Sequence, residues 1–197
     1  MFYKALFVTI TYHYIYSSEV LNATIQRKGE SAMKLLVIFG NGGYGRTVQD
    51  IAHQLNYTTI VLDDADPAYP LSSFQSYINP TTYFIPAFGN NSFRMEWINR
   101  IEESGGQLAT LIHPTAYVSP TATINPGTVI LPHAIINTDV VAGRGCIINL
   151  GAIVDHGCIL EEGVHIAPGA IVKGENRVEK CSKIEAGEVV ERGQYPL

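Results

Sequence analysis

From Ile112 onward the hydrophobic pattern repeats every six residues. Ile112, Val118, Ile124, Ile130, Ile136, Ala142, Ile148, Val154, Leu160, Ile166, Val172, Val178, Ile184 and Val190 are fourteen consecutive aliphatic positions at that spacing. Four residues after each comes a second series, Ala116, Ala122, Thr128, Ala134, Val140, Cys146, Ala152, Cys158, Val164 and Ala170, all small or slender. It then gives way to Asn176, Ser182, Glu188 and Gln194, which predicts an irregular or capped last coil. Neither an α-helix nor an ordinary sheet has a period of six. A parallel β-helix with short flat faces does, because one aliphatic residue per face points inward and a small one lets the chain turn the corner. Three hexads make a triangular coil of 18 residues, with four to five coils over 110–197, and Gly127, Gly145, Gly151, Gly157, Gly163, Gly169 and Gly187 fall mostly at the turns. Cys146 and Cys158 belong to the inward series and are expected as buried structural thiols. An outer face of such a prism is too flat for a deep pocket. Sites are therefore expected between neighbouring prisms, in a homotrimer with three interfacial sites.

The preceding segment has a different rhythm. Leu35 to Phe39 is an apolar run of strand length, and Val48, Ile51, Ala52 and Leu55 recur at helical spacing. Between them lies Gly40-Asn41-Gly42-Gly43-Tyr44-Gly45, a G-x-G-x-x-G placed after a strand and before a helix. Its glycines permit a tight turn with exposed N–H groups, and the helix N-terminus offers partial positive charge to a diphosphate. A second strand, Thr58 to Leu62, ends at Asp63-Asp64, carboxylates placed to accept hydrogen bonds from a ribose or base. A third, Tyr83 to Phe88, ends in Gly89-Asn90-Asn91; a helix from Phe93 to Ile101 follows, with Arg94 one turn in. Any one of Asp64, Asn90 and Asn91 alone reads equally well as a turn or cap residue. Together with the glycine loop they predict one crevice. The domain is short for a dinucleotide fold, so a mononucleotide or nucleotide-sugar fits better than NAD.

Composition narrows the class. The 197 residues are 46% hydrophobic and 16% charged, too apolar for disorder, without an uninterrupted run long enough for membrane insertion. Scattered basic residues and a net charge of −5 argue against nucleic acid and anionic membranes as partners. Three cysteines without a CxxC fit neither a disulfide framework nor a zinc site, so no metal is expected and a reducing cytoplasm is. Residues 1–32 lack a signal-peptide cleavage pattern and read as a non-native or disordered extension, with translation starting at Met33. The expected division is thus 1–32, an α/β domain over 33–109 and a β-helix over 110–197.

The segments GNGGYGR, VLDD, AFGNNSFR, LIHPTAYVSPTATI and VDHGCILEEGVHIAPGA occur in the order of one family and span most of residues 34–175. The chain resembles the bacterial acetyltransferases that modify nucleotide-linked amino sugars or sialic acid, most nearly the bacillosamine-type N-acetyltransferases. That resemblance implies a Rossmann-like nucleotide-sugar-binding domain followed by a left-handed parallel β-helix, trimers, acetyl-CoA as co-substrate, and a UDP-linked 4-amino sugar as acceptor in surface glycan synthesis. It implies His156 as general base, Asn149 as a polar group near the reacting atoms, His165 beside the acetyl donor, and Gly174 as a backbone N–H donor to the thioester carbonyl. Asp155 flanks the base, and Gly157 stands where the family often has an acidic residue, so Asp155 is the carboxylate left to orient the imidazole. Gly40, Gly42, Gly43, Tyr44, Gly45, Asp63, Asp64, Gly89, Asn90, Asn91 and Arg94 fall to the nucleotide-sugar side, with Tyr44 where the family often has histidine.

The chemistry agrees with these roles. An amine attacking a thioester must lose a proton, and an imidazole with an ordinary pKa of about 6.5 accepts one near neutrality. A backbone N–H aimed at the developing oxyanion supplies electrostatic stabilisation. Cys158 is not needed as a nucleophile, since the thioester is already activated. Alternatives are O-acetylation of a sialic acid or other sugar hydroxyl, and a nucleotide-sugar-binding protein with impaired catalysis. A dehydrogenase rests on the glycine motif alone.

Overall fold

The computed structural model describes residues 34–197. The expectations for residues 1–32 lie outside the described residues.

The first part is a parallel sheet of β1 (Leu35–Phe39), β2 (Thr58–Leu62), β3 (Thr82–Pro86) and β4 (Gln107–Leu108), in the order β2-β1-β3-β4. Helix α1 (Gly43–Gln54) connects β1 to β2, and α2 (Asn91–Glu103) connects β3 to β4. Alternation along β1 explains the layering. Leu36 and Ile38 pack with Val48, Ile51 and Ala52 of α1, whereas Val37 and Phe39 pack with Trp97 and Ile101 of α2. Both faces are covered, which is why the strand reads as an unbroken apolar run. Helix α2 begins two residues earlier than its hydrophobic spacing predicts, because the Asn90 side chain accepts the Phe93 N–H at 2.9 Å and caps it.

The second part is a three-sided parallel β-helix of two-residue strands. Its first face stacks Leu111–Ile112, Val129–Ile130, Ile147–Ile148, His165–Ile166 and Lys183–Ile184. The second stacks Tyr117–Val118, Ile135–Ile136, Ile153–Val154, Ile171–Val172 and Val189–Val190. Thr123–Ile124, Val141–Ala142, Ile159–Leu160 and Arg177–Val178 form the third. Each strand pairs with the one 18 residues on, as in Ile130↔Ile148↔Ile166, which is the coil length that three hexads require. The six-residue aliphatic series forms the interior with the small series, Cys146 and Cys158 among them. Burial pushes the Cys146 thiol up to about 12. The break in the small series at Asn176 is a cap: fully buried, Asn176 donates to the carbonyls of Lys173 and Glu191 and accepts the Tyr195 N–H, holding Tyr195 against the core.

The corners share one conformation. Gly127, Gly145, Gly163 and Cys181 form a column at positive φ, as do His133, Gly151, Gly169 and Gly187, and Asp139, Gly157, Glu175 and Gly193. Only the first column is crowded. A Cβ on Gly145 would lie 2.3 Å from Ile98 Cδ1 and 2.8 Å from Met95 Sδ, and one on Gly163 would lie 2.6 Å from Met95 Cγ. Helix α2 is seated on this column.

The outward rows of the three faces differ. On the first, Leu111, Val129 and Ile147 are buried with α1 residues of the α/β part. On the second, Tyr117, Ile135, Ile153, Ile171 and Val189 form a wholly apolar row, of which Tyr117, Ile135 and Val189 are exposed. The third is mixed, running Thr123, Val141, Ile159 and Arg177.

Candidate functional site

Two polar regions emerge, one at the carboxyl edge of the sheet and one on the β-helix. At the sheet edge a cleft of about 360 Å³ is lined by Gly40, Gly42, Gly43, Tyr44, Asp63, Gly89 and Asn90, joined by Ala87, Phe88 and Phe93. The glycine loop is built for close approach. Gly40 has φ +98°, and a Cβ on Gly45 would lie 2.1 Å from the Gly40 carbonyl, so α1 can start this near β1 only with glycine at both ends. Helix α1 has neither a side-chain cap nor an acidic residue in its first turn. Its N-terminal N–H groups therefore present partial positive charge to the cleft.

Asp63 and Asp64 separate in role. The Asp63 carboxylate accepts the N–H of Asn41 at 2.6 Å and of Ala65 at 2.9 Å, and these bonds lower its pKa. It ties down the glycine loop and still faces the cleft. Asp64 instead accepts the Leu71 N–H at 2.9 Å, anchoring the loop after β2, and is not part of the cleft lining. The aromatic contribution of Phe88 and Phe93, whose rings pack 4.7 Å apart, is absent from the sequence reading. Nothing in periodicity distinguishes Phe93, 40% exposed, from a core position of α2.

Asn91 and Arg94, expected as ligand contacts, lie instead in the junction between the two parts. Arg94 is 1% exposed. Its Nε donates to the Gly145 carbonyl at 2.8 Å and Nη2 to the Gly163 carbonyl at 2.8 Å. Nη1 donates to the Phe88 carbonyl and Nη2 also to Asn91 Oδ1, both at 2.9 Å. Asn91 Nδ2 reaches the carbonyls of Cys181 and Ser182. The physical reason is desolvation: a buried guanidinium is tolerated where backbone carbonyls take its donors.

On the β-helix, His156 sits at the corner after Ile153–Val154 with its side chain 48% exposed. Asp155 Oδ1 accepts the His156 backbone N–H at 2.7 Å and the Asn137 Nδ2 at 2.8 Å, and its pKa is lowered, chiefly by the His156 N–H. Asp155 Oδ2 is 3.9 Å from His156 Nε2, an electrostatic neighbour rather than a hydrogen-bond partner. The imidazole is placed by packing. A Cβ on Gly174 would lie 2.8 Å from both Cε1 and Nε2 of His156, so the ring lies directly over Gly174. Asn137, missed by the sequence reading, stands one coil of 18 residues before Asp155, a spacing that marks it as stacked beneath.

Asn149 and His165 form a separate pair on the first face. Asn149 Oδ1 accepts the Leu150 N–H at 2.8 Å, which orients the amide and turns Nδ2 to His165 Nε2 at 3.1 Å. Nε2 is then the acceptor and Nδ1 carries the proton. Nδ1 is buried without a partner among the described residues. Burial, then the positive charges of Arg94 and Lys183, push the His165 pKa down to about 4. His165 is thus a neutral hydrogen-bonding group at pH 7. Tyr44 has a similarly unpartnered hydroxyl, and burial raises its pKa. Within the chain, His156 and His165 lie on different faces, as their nine-residue spacing predicts.

The profile of the PglD N-terminal domain matches residues 35–101. The acetyltransferase domain of PglB from Neisseria gonorrhoeae FA1090 superposes with a TM-score of 0.76 at 33% identity, covering 82% of this chain and 83% of that one. The chain belongs to the bacterial sugar acetyltransferase family. Its β-helix is the left-handed one of that family. The PglB domain has also been solved in complex with acetyl coenzyme A, and this chain matches that structure with a TM-score of 0.75 at 33% identity over the same shares. A variant of GDP-perosamine N-acetyltransferase from Caulobacter crescentus, in complex with CoA and GDP-perosamine, matches with a TM-score of 0.71 at 25% identity, over 82% of this chain and 90% of that one. UDP-N-acetylbacillosamine N-acetyltransferase of Bacillus subtilis (strain 168) is 33% identical over 104 residues, 46% of this chain. The alignment spans 48% of that relative's length. Among the described residues no helix is long and apolar enough to cross a membrane.

Proposed function

We propose that this sugar acetyltransferase moves the acetyl group of acetyl-CoA onto an amino group of a nucleotide-activated sugar, of the UDP-linked 4-amino type, in surface glycan biosynthesis. The observation that carries this reading is the pairing of a glycine-lined cleft at a helix N-terminus with an exposed imidazole seated on Gly174. The cleft holds the nucleotide diphosphate. The amine attacks the thioester carbonyl, the C–N bond forms as the C–S bond breaks, and the amine's proton passes to His156 and from there to the departing sulfur, so that the coenzyme leaves as its thiol. Asp155 stands beside the imidazole, its Oδ2 3.9 Å from Nε2, and holds the His156 backbone N–H. The Gly174 N–H is the donor for the developing oxyanion, and neutral His165 with Asn149 contacts the acetyl donor.

The same reading takes the protein as a homotrimer with active sites between subunits. The apolar row Tyr117, Ile135, Ile153, Ile171 and Val189 supports it, because an exposed apolar stripe along a flat face is what a second prism buries. His156 lies two residues beyond Ile153–Val154 of that face, so the base stands at the edge of the subunit interface. The division into domains at 33–109 and 110–197 follows the change from sheet to coils between Leu108 and Leu111. Three free thiols support a reducing, cytoplasmic setting.

The test is thiol release from acetyl-CoA with a panel of UDP-, GDP- and CMP-linked amino sugars, with the matching hydroxy sugars as controls. Acetylation of an amino sugar is expected. Release only with hydroxy sugars would establish O-acetylation instead, and release with none would remove the reading.

A further inference from the structure

The reaction just proposed requires two regions built from different folds to keep a fixed separation: the cleft at the sheet edge and the coil that carries His165. One side chain bonds to both. Arg94 holds the Phe88 carbonyl, in the loop that walls the cleft, and the carbonyls of Gly145 and Gly163, in successive coils of the β-helix. Gly163 lies two residues before His165. The Arg94 guanidinium also fixes Asn91, whose own amide reaches the carbonyls of Cys181 and Ser182 in the next coil. The tie thus spans three consecutive coils at one corner.

We infer that Arg94 is a positioning residue, setting the span between the nucleotide cleft and the acetyl-transfer centre without touching either substrate. The inference rests on the acetyltransferase reading for its kinetic consequence, but the tie itself is in the geometry. Other contacts across the junction are less directional. Met95 and Ile98 fill the glycine column with apolar contacts, which are non-directional, and the Arg144–Glu102 ion pair is partly exposed. The guanidinium is planar with donors in a rigid fork, so four bonds to oxygens from both parts admit a single arrangement. A shift of about 1 Å between bound reactants costs on the order of 100-fold in rate, which is the scale of effect the tie is placed to prevent.

The experiment compares wild type, Arg94→Met and the milder Asn91→Ala. It uses a UDP-linked 4-amino sugar with acetyl-CoA for turnover and UDP alone for calorimetry. Asn91→Ala keeps the test open where Arg94→Met does not fold, since it removes one anchor of the guanidinium and the two bonds to Cys181 and Ser182 while sparing the apolar seat. Positioning predicts a kcat lower by about 100-fold in Arg94→Met and about tenfold in Asn91→Ala, with UDP affinity and both KM values within about threefold of wild type. A merely structural role would lower the melting temperature and the active fraction but leave kcat per folded molecule unchanged, which would overturn the inference. So would a UDP affinity weakened tenfold or more, which identifies a direct ligand contact and is readable even where the chain transfers no acetyl group. Wild-type inactivity toward every nucleotide sugar, with UDP affinity equal in all three proteins, would sink the acetyltransferase reading while leaving Arg94 outside the nucleotide site as inferred.

Discussion

His156 and His165 stand on the same β-helix and differ in nearly every physical respect. His156 is at an open corner, its ring over Gly174, beside a carboxylate and half exposed. His165 is on the covered first face, bonded to Asn149, beside two cations and driven down to about 4. The difference comes from what covers each face. The α/β part covers one histidine, and its Arg94 together with Lys183 of the β-helix holds that group neutral, while the other is left reachable and next to negative charge. A proton acceptor belongs at the second kind of place. The first demand on this comparison is that His156→Ala lower acetyl transfer by about 10² to 10⁴-fold, the usual worth of a general base. The melting temperature should barely move, since the ring is exposed. Equal losses in His156→Ala and His165→Ala, with both proteins folded, would remove the distinction.

The corners carry the same contrast into stability. Gly145 and Gly187 have φ of +66° and +70°, so each resists a side chain by backbone conformation. Space separates them: a Cβ on Gly145 runs into Ile98 and Met95, whereas nothing lies within 4 Å of one on Gly187. Gly187→Ala should therefore cost about 1 kcal/mol, and Gly145→Ala about 2–4 kcal/mol once overpacking is added. Urea denaturation of the two variants side by side checks this. Similar costs would mean that α2 yields easily at the corner.

These two corners also mark where the sequence is readable. The coil stack follows from arithmetic on Ile112 to Val190 because every coil solves the same local problem, and 18-residue pairing is its only product. The glycine loop is equally local. The junction is not. Gly127, Gly145 and Gly163 have the same spacing as Gly151, Gly169 and Gly187, and only a partner distant in sequence, α2, makes one column crowded and leaves the other open. Arg94 illustrates the same limit, since a cation beside a glycine-rich crevice reads as a ligand contact until its donors are found on Gly145 and Gly163. Asn137 is the opposite case, because the coil period places it under Asp155 and a search by that period would have found it.

A smaller effect sharpens the description of the open corner. Gly174 has no positive φ, so alanine there meets no backbone objection; its Cβ conflicts only with the His156 ring at 2.8 Å. An exposed imidazole can swing aside at little cost in stability. Gly174→Ala should thus retain the fold while lowering kcat by about tenfold, on the scale expected for moving a proton acceptor from its place. An unchanged kcat would show that the seat on Gly174 does not set where the imidazole acts.

The covered face has its own signature in pH. His165 titrates near 4 when folded and, like any exposed imidazole, near 6.5 when unfolded. Between those values the unfolded chain binds the proton more readily. Stability contributed by this group is complete above about 6.5 and is lost as pH falls toward about 4. His165→Gln keeps a polar side chain opposite Asn149 and carries no proton to lose, so its stability should decline less than that of wild type between pH 6.5 and 4.5. Urea midpoints at a few pH values measure the difference. Parallel declines in the two proteins would mean that His165 is not held neutral by its surroundings, and with that the contrast between the buried and the open histidine would fail on its buried side.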